Sequence, residues 1–187
     1  RVGSGSSNGG VHHGMATDGK RVYVPIADPE RKIPGYVPKP GVYALDVGDG
    51  DKVWSHPVQR GCSIDPADAP LVGLAEMAQG KPQRSPWPDC SYYYGHSAAA
   101  VVANGVVYSG ALDGRLRLFD ARNGKLLRVI ETRQPFRGSN GIDGHGGAID
   151  VAGAIVQGDQ LFVVSGYGMF GQMPGNMLLV YGLPARR

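Results

Sequence analysis

Histidines are the residues in this sequence with the clearest chemical potential. Four of the five stand just before short runs of small or apolar residues: His12, His13, His96 and His145. An imidazole titrates near neutral pH, so it can act as a general base or hydrogen-bond an anionic ligand. Converging imidazoles can also hold a metal ion; that alternative is open for His12, His96 and His145, but we assign no metal ligands from the sequence. The structural alternative is that these side chains cap strand ends and satisfy buried carbonyl groups.

Two aspartates and a tyrosine occupy comparable positions. Asp143 stands two residues before His145, where a carboxylate can serve as a general base, although Ile142-Asp143-Gly144 is more typical of a turn. Asp150 and Tyr94 also lie close to the start of apolar runs. The catalytic candidates are Asp143 and His145, and the candidates for contact with a bound cofactor are His12, His13, Tyr94, His96 and Asp150.

Further candidates lie in connections that are longer than strand turns need. Residues 165–176 read SGYGMFGQMPGN, whereas a plain hairpin needs only about two to five turn residues. Met169, Phe170 and Met173 give this loop an apolar, adaptable surface, suited to a ligand or to packing against a neighbouring loop. Trp87 can line a ligand entrance, although anchoring its own loop is the favoured role.

The two cysteines, Cys62 and Cys90, lie at the ends of one irregular segment. They are too few to form a metal site alone. A disulfide between them closes a loop of about 28 residues and contributes roughly 3 kcal/mol in the chain-entropy model. We expect that disulfide in an oxidising compartment, and two unrelated reduced thiols are the alternative.

The elements that must position these residues are repeated strands. Three segments, beginning at Asp18, Asn104 and Gly158, share an Asp-Gly type of turn followed by a β-branched and aromatic strand. A run of small residues precedes each turn and a third strand follows it, and the first two units add a fourth strand. Short antiparallel units of four strands are typical of β-propeller blades. We therefore predict an all-β, single partial propeller with blades at residues 10–57, 96–132 and 149–183 and long loops at 58–95 and 133–148.

The lengths of the connections assign them to two faces. The first-to-second and third-to-fourth turns are short, whereas the links between units and two of the three second-to-third connections are long. In a four-stranded antiparallel meander, the two long classes emerge at the same end. We therefore expect the histidines and the 165–176 loop on one working face, held by a rigid scaffold.

The repeat resembles the quinoprotein blade, in which Asp-Gly-x-Val-Tyr-Val is followed by Gly-x-Leu-x-Ala-Leu-Asp-x-x-x-Gly-Lys-x-x-Trp. Residues 18–24 and 42–54 match this pattern closely. Residues 104–125 match again, but Arg128 stands where the tryptophan that docks neighbouring blades would be. The stretches SGALDG at 109–114 and SGYGMFGQMPGN at 165–176 are similar to the C-terminal part of the polyvinyl alcohol dehydrogenase family and related pyrroloquinoline quinone (PQQ) enzymes.

This resemblance implies a PQQ-dependent alcohol dehydrogenase, which passes a hydride from an alcohol, secondary or polymeric, to the quinone. In such enzymes PQQ lies on the propeller axis at the open face with Ca²⁺ at its carbonyl groups, and an aspartate takes the alcohol proton. The resemblance also implies a bacterial periplasmic or secreted protein and an electron acceptor such as a c-type cytochrome. The calcium ligands are expected outside this chain, since no motif within it matches them.

Propellers of this family have roughly seven or eight blades, whereas the repeats here number about three. An open stack leaves blade faces and a strand edge unburied. We therefore expect a longer gene product, or a second chain, to complete the ring.

Two other classes of function stay open. One is a non-enzymatic propeller scaffold that binds proteins through its loop face, and the other is a hydrolase or lyase that uses the histidines with a metal. The composition argues against two further classes. The formal net charge is only +3 and the basic residues are dispersed, which does not indicate nucleic-acid binding. The sequence also contains no run of about 20 apolar residues, the length that a membrane-spanning helix needs.

Overall fold

The computed structural model describes residues 2–5, 9–28, 34–59, 94–167 and 172–182. All regular secondary structure in these ranges is β, and no helix there is long and apolar enough to cross a membrane. The thirteen strands are β1 Ala16–Thr17, β2 Arg21–Ile26, β3 Gly41–Asp46, β4 Lys52–Pro57, β5 Val101–Ala103, β6 Val106–Gly110, β7 Arg115–Asp120, β8 Leu126–Glu131, β9 Pro135–Arg137, β10 Asp143–His145, β11 Ile155–Gln157, β12 Gln160–Ser165 and β13 Met177–Gly182.

The strands form sheets in which sequential strands are neighbours. The first sheet has the order β1-β2-β3-β4, the second β5-β6-β7-β8 and the third β11-β12-β13, and a two-stranded hairpin joins β9 to β10. Every pairing is antiparallel. This meander is the topology of a propeller blade. The predicted fold class, all-β with four-stranded antiparallel blades of the propeller type, is confirmed.

Local turn chemistry accounts for the repeat. In the first sheet the Asp18 carboxylate accepts the backbone N–H groups of Lys20 and Arg21 at 2.9 and 2.8 Å. In the second sheet Asn104 and Gly105 have φ angles of 52° and 75°, the combination that a type I′ hairpin turn requires. Both turns therefore connect the innermost strand of a sheet to its neighbour, as predicted.

The link between the second and third sheets contains a hairpin that the sequence did not predict. Strands β9 and β10 pair from Asp143↔Arg137 to His145↔Pro135. The turn itself lies earlier, where the Gly141 N–H donates to the Gly138 carbonyl at 2.9 Å. The favoured interpretation of Ile142-Asp143-Gly144 as the turn was therefore wrong, because Asp143 begins β10.

The regions around the innermost strands approach one another closely. The Ala100 N–H donates to the Gly14 carbonyl at 3.4 Å, and the Ala99 N–H donates to the Val151 carbonyl at 3.3 Å. A Cβ atom on Gly153 would lie 2.3 Å from the Ala99 carbonyl oxygen. Small residues are thus required here, and the segments that precede β1, β5 and β11 are brought together at one end of the three sheets.

A tryptophan holds the first sheet against the second. Trp54 is 7% exposed, and its indole N–H donates to the Ala121 carbonyl at 3.0 Å. The ring covers Gly124 so closely that a Cβ atom there would lie 2.6 Å from ring carbons. The Tyr23 hydroxyl lies 2.6 Å from the Asp18 carboxylate and 3.1 Å from the same Ala121 carbonyl, and Phe119 completes the aromatic group. The predicted docking role of this tryptophan is thus visible in its contacts.

The interface between the second and third sheets lacks this contact. Its apolar core includes Leu116, Ile149, Val163 and Leu179. Beside that core lies a groove of about 250 Å³, which Arg128 lines together with Gly158 and Tyr181. The groove thus lies beside the position where the blade pattern would place a second docking tryptophan.

The outer face of the third sheet is apolar and exposed. Val164 pairs with Leu178, and Phe162 pairs with both Ile155 and Val180, so these side chains share one face. Ile155 is 63% exposed, Leu178 62% and Val180 50%. Contiguous apolar surface of this kind normally marks an interface.

Replacing Trp54 tests the docking contact. We expect Trp54→Ala to lower the free energy of unfolding by about 3–5 kcal/mol, because a buried ring and its hydrogen bond are lost together. The matched control is Arg128→Ala, the equivalent position of the second sheet, where a change within about 0.5 kcal/mol is expected for an exposed side chain. Urea denaturation followed by circular dichroism measures both, and equal losses in the two variants would contradict the docking role.

Candidate functional site

The three loops that precede the innermost strands meet in one polar group, which we call the axial cluster. His12 and His13 precede β1, Ser97 precedes β5, and Asp150 precedes β11. Gln172, from the connection that precedes β13, completes the group. The cluster therefore draws on all three sheets.

Two side-chain contacts join the sheets within the axial cluster. His12 Nδ1 lies 3.1 Å from the Ser97 hydroxyl oxygen, which connects the first sheet to the second. His13 Nε2 lies 3.2 Å from Asp150 Oδ1, which connects the first sheet to the third. The two imidazole rings also face each other, with centroids 3.8 Å apart and planes tilted by 37°. Each histidine thus contacts a different neighbouring sheet.

The Asp150 carboxylate is buried and held in place. Its residue is 5% exposed; Oδ1 accepts the Val151 N–H at 2.8 Å and Oδ2 accepts the Gln172 amide N–H at 3.3 Å. Val151 has a φ angle of 59°, a left-handed conformation that a β-branched residue adopts only when its surroundings impose it, at a cost of about 1–3 kcal/mol. The backbone next to this carboxylate is therefore strained and fixed.

The electrostatic surroundings favour a neutral His12. Burial lowers the pKa of His12 below its ordinary value, and the adjacent His13 lowers it further, while Asp150 opposes the shift. A neutral imidazole keeps one ring nitrogen with a free lone pair. His12 is therefore suited to accept a hydrogen bond or to bind an electrophile as a neutral ring.

Two of the predicted cofactor residues are buried apart from these contacts. His96 is fully buried; its Nδ1 lies 2.8 Å from the Ser109 hydroxyl oxygen and its Nε2 has no hydrogen-bond partner. Burial, followed by the charge of Arg117, lowers the pKa of His96 well below its ordinary value. Tyr94 is 7% exposed. The sequence left open a metal site formed by His12, His96 and His145. In the described part of the chain, the ligand atoms of these three histidines are not brought together.

The two catalytic candidates lie in a separate, open depression. Asp143 and His145 line it with Pro174 and Asn176. The Asp143 side chain is 78% exposed and pairs with Arg137 at 2.7 Å, and the backbone N–H of His145 donates to the Asn176 side-chain oxygen at 3.0 Å. Asp143 and His145 therefore contact the β9–β10 hairpin and the 172–182 segment. In the axial cluster, by contrast, His12 and His13 contact Ser97 and Asp150.

The remaining predicted residues fall into two groups. Met173 is 7% exposed, and its carbonyl accepts the Ala148 N–H at 2.9 Å, so in this chain it packs inside the connection. Trp87, Met169, Phe170, Cys62 and Cys90 lie outside the described residues.

Sequence reasoning missed Ser97 and Gln172. Ser97 directly follows His96 and stands four residues before β5, as His12 stands four residues before β1, which was the signal available. Gln172 lies in the SGYGMFGQMPGN loop but carried no signal of its own, because a lone glutamine has no characteristic chemistry.

The buried His96 predicts a dependence of stability on pH. The pKa of histidine in an unfolded chain is about 6.5, and in the folded chain that of His96 is lower, so below this value the unfolded state binds more protons. Stability is thus complete above about pH 6.5 and falls as the pH drops, by up to about 1.4 kcal/mol per pH unit for one group. We expect the denaturation midpoint of His96→Gln to change less between pH 7.5 and pH 5.5 than that of the native sequence. These two pH values lie about one unit on either side of the unfolded pKa. An unchanged pH dependence would contradict the burial of this imidazole as a neutral group.

No family model matches the chain. Polyvinylalcohol dehydrogenase of Pseudomonas sp is 35% identical over 168 residues, which are 89% of this chain and 22% of that protein. Polyvinylalcohol dehydrogenase of Sphingopyxis sp. (strain 113P3) is 28% identical over 166 residues, 87% of this chain and 22% of that protein.

Among solved structures, a europium-containing methanol dehydrogenase superposes with a TM-score of 0.45 at 20% identity, covering 83% of this chain and 19% of that one. That similarity is too remote to bear on function. The chain spans about a fifth of the length of the curated relatives it matches. The resemblance predicted from the blade pattern is confirmed: this chain is a relative of the polyvinyl alcohol dehydrogenases, similar over nearly nine-tenths of its own length to a segment of those proteins.

Proposed function

We propose that this chain forms part of a PQQ-dependent alcohol dehydrogenase, which oxidises a secondary or polymeric alcohol by hydride transfer to the quinone. The sequence relation to two polyvinyl alcohol dehydrogenases supports the class of reaction. The observation that carries the proposal is that loops of all three sheets converge. His12 and His13 come from the first sheet, Ser97 from the second and Asp150 from the third. Ligand sites of ring-like folds are built from such converging loops.

The donor set of the axial cluster fits an anionic quinone in part. His13 Nε2 is buried and has no hydrogen bond, although it lies 3.2 Å from Asp150 Oδ1, so a bound group can supply the missing partner. We propose that His12 and His13 face the cofactor and that Asp150 orients His13. The bound quinone supplies the hydride acceptor, and this chain supplies position and electrostatics. We propose that His96 and Tyr94, which are both buried, support the loops of the axial cluster without contacting the cofactor.

The same donor set does not fit calcium. Ca²⁺ takes about six to eight oxygen ligands, whereas the cluster offers two imidazoles and one carboxylate. We propose that a calcium ion takes its ligands from outside the axial cluster.

Asp143 and His145 remain the proposed catalytic pair, and this role requires that the bound quinone and alcohol extend from the axial cluster to their depression, since a general base must reach the proton it takes. Their depression is open to solvent and bounded by Pro174 and Asn176. The Asp143 carboxylate is occupied by Arg137, so action as a general base requires that this exposed ion pair opens, at a cost of about 1 kcal/mol or less.

The exposed apolar face of the third sheet supports the proposal that further blades complete the ring. Ile155, Val164, Leu178 and Val180 form a face that a neighbouring sheet would bury. We propose that those blades come from a longer chain or a second chain. We propose a periplasmic or secreted location and an electron acceptor such as a c-type cytochrome from the family resemblance alone.

The experiment that tests this function uses the intact protein with PQQ and calcium added, and follows alcohol-dependent reduction of a redox dye. We expect oxidation that requires PQQ, and a loss of at least tenfold in PQQ affinity in the variant His12→Gln/His13→Gln, since two hydrogen bonds are removed. His56→Gln is the matched control, because His56 is a half-buried histidine of β4 outside the cluster.

Absence of PQQ binding and of alcohol oxidation by the intact protein would overturn the proposal. That result would favour the alternative, a propeller scaffold that binds other proteins through its loop face. PQQ-dependent oxidation that the double variant leaves unchanged would keep the reaction class but remove the axial cluster from the cofactor site.

A further inference from the structure

The axial cluster contains three potential metal-ligand atoms in close proximity. One nitrogen from each of His12 and His13 and one carboxylate oxygen of Asp150 all lie within 4.8 Å of one another. Among the described residues this is the one group of three or more such side chains that meets this distance. It joins residues that are more than 130 positions apart in the sequence, so the tertiary fold, and not local chain geometry, creates it.

The three side chains are oriented by hydrogen bonds that leave ligand atoms available. When His12 Nδ1 carries the proton and donates to the Ser97 hydroxyl, Nε2 of that ring keeps its lone pair for a ligand. Gln172 donates to Asp150 Oδ2, which fixes the plane of the carboxylate. Supporting hydrogen bonds of this kind are the usual second layer of a metal site, where they set the ring orientation and the tautomer of each ligand.

The separation of the ligand atoms suits a single ion. Nitrogen and oxygen ligands of zinc lie about 2.0–2.2 Å from the metal, so in a tetrahedral site two of them are about 3.3–3.6 Å apart. His13 Nε2 and Asp150 Oδ1 are 3.2 Å apart and make no hydrogen bond with each other. Two ligands of one ion have this relationship.

We propose that His12, His13 and Asp150 bind a divalent first-row transition metal, with zinc as the reference ion, and leave at least one coordination position open. Two imidazoles and a carboxylate suit zinc, iron, nickel or copper, whereas calcium and magnesium prefer oxygen ligands alone. Three protein ligands with an open position are the arrangement of sites that bind water or an exchangeable oxygen ligand. The same three residues are proposed above to face and orient the quinone, so a transition metal and the quinone would compete for them, and the metal site is distinct from a calcium site.

The test is a titration of the intact protein, stripped of metal with a chelator and free of quinone and alcohol, with Co²⁺ as the probe. We expect visible d–d absorption that saturates at one equivalent and is abolished by one equivalent of Zn²⁺. His13→Ala and Asp150→Asn should each weaken cobalt binding at least 100-fold. Ser97→Ala should weaken it roughly 10-fold to 100-fold, because Ser97 acts on the metal only through His12. His145→Ala is the control and should leave the titration unchanged, because His145 lies in the other depression.

If Asp150→Asn fails to fold, the thermal stability of the native protein with added zinc still tests the proposal. A ligand that binds only the folded state raises the unfolding temperature as its concentration rises above the dissociation constant, so added Zn²⁺ should stabilise the native sequence but not Ser97→Ala to the same degree at the same concentration. The proposal is overturned if native protein shows no saturable cobalt spectrum and no stabilisation by zinc. It is overturned equally if both survive undiminished in His13→Ala, or if both are lost in His145→Ala. Neither measurement depends on alcohol oxidation, so failure here and failure of the dehydrogenase proposal are separate results.

Discussion

The arrangement of this protein depends on how closely the innermost strands of its sheets can approach. The Ala99 N–H donates to the Val151 carbonyl at 3.3 Å, and Gly153 lies against the Ala99 carbonyl with no room for a side chain. The backbone at Val151 takes a strained conformation in the same place. Because this contact sets the distance between the second and third sheets, it also sets where Asp150 can meet residues of the first sheet.

The two interfaces between sheets are built differently, and this difference bears on the rigidity of the site. Trp54 fills the first interface and hydrogen-bonds across it. At the equivalent position of the second interface, Arg128 borders a groove of about 250 Å³. The outer end of this second interface lacks a docking ring. The contacts of Asp150 with His13 and Gln172 therefore add connections at the inner end of the third sheet.

The sequence predicted the parts of this fold that local chemistry controls. Asp18-Gly19 and Asn104-Gly105 specify tight turns through side-chain acceptors and positive φ angles, so the strand repeat and the fold class could be predicted. The equivalence of His12, His13 and Asp150 also followed from that repeat. The β9–β10 hairpin was missed because Asp143-Gly144 has the composition of a turn, while the actual turn at Gly138 to Gly141 is stabilised by Asn140.

Contacts between distant residues could not be predicted in the same way. Nothing local to Ser97 or Gln172 identifies their partners, His12 and Asp150. Met173 was predicted either to face a ligand or to pack against a neighbouring loop, and its residue is buried in this chain; the sequence could not choose between the two, since an adaptable methionine fills interior gaps as readily as it lines surfaces. Pairing across sheets depends on how the sheets pack, and a single sequence carries little information about that.

The central claim is that loops from separate sheets meet at the axial cluster, and a double-mutant cycle between His13 and Asp150 tests it most directly. The free energies of unfolding of His13→Ala, Asp150→Ala and the double variant are compared with that of the native sequence, in the presence of a chelator. Direct contact at 3.2 Å predicts a coupling energy of about 0.5–3 kcal/mol. Additive effects within about 0.3–0.5 kcal/mol would contradict the account, because residues that do not touch behave in that way.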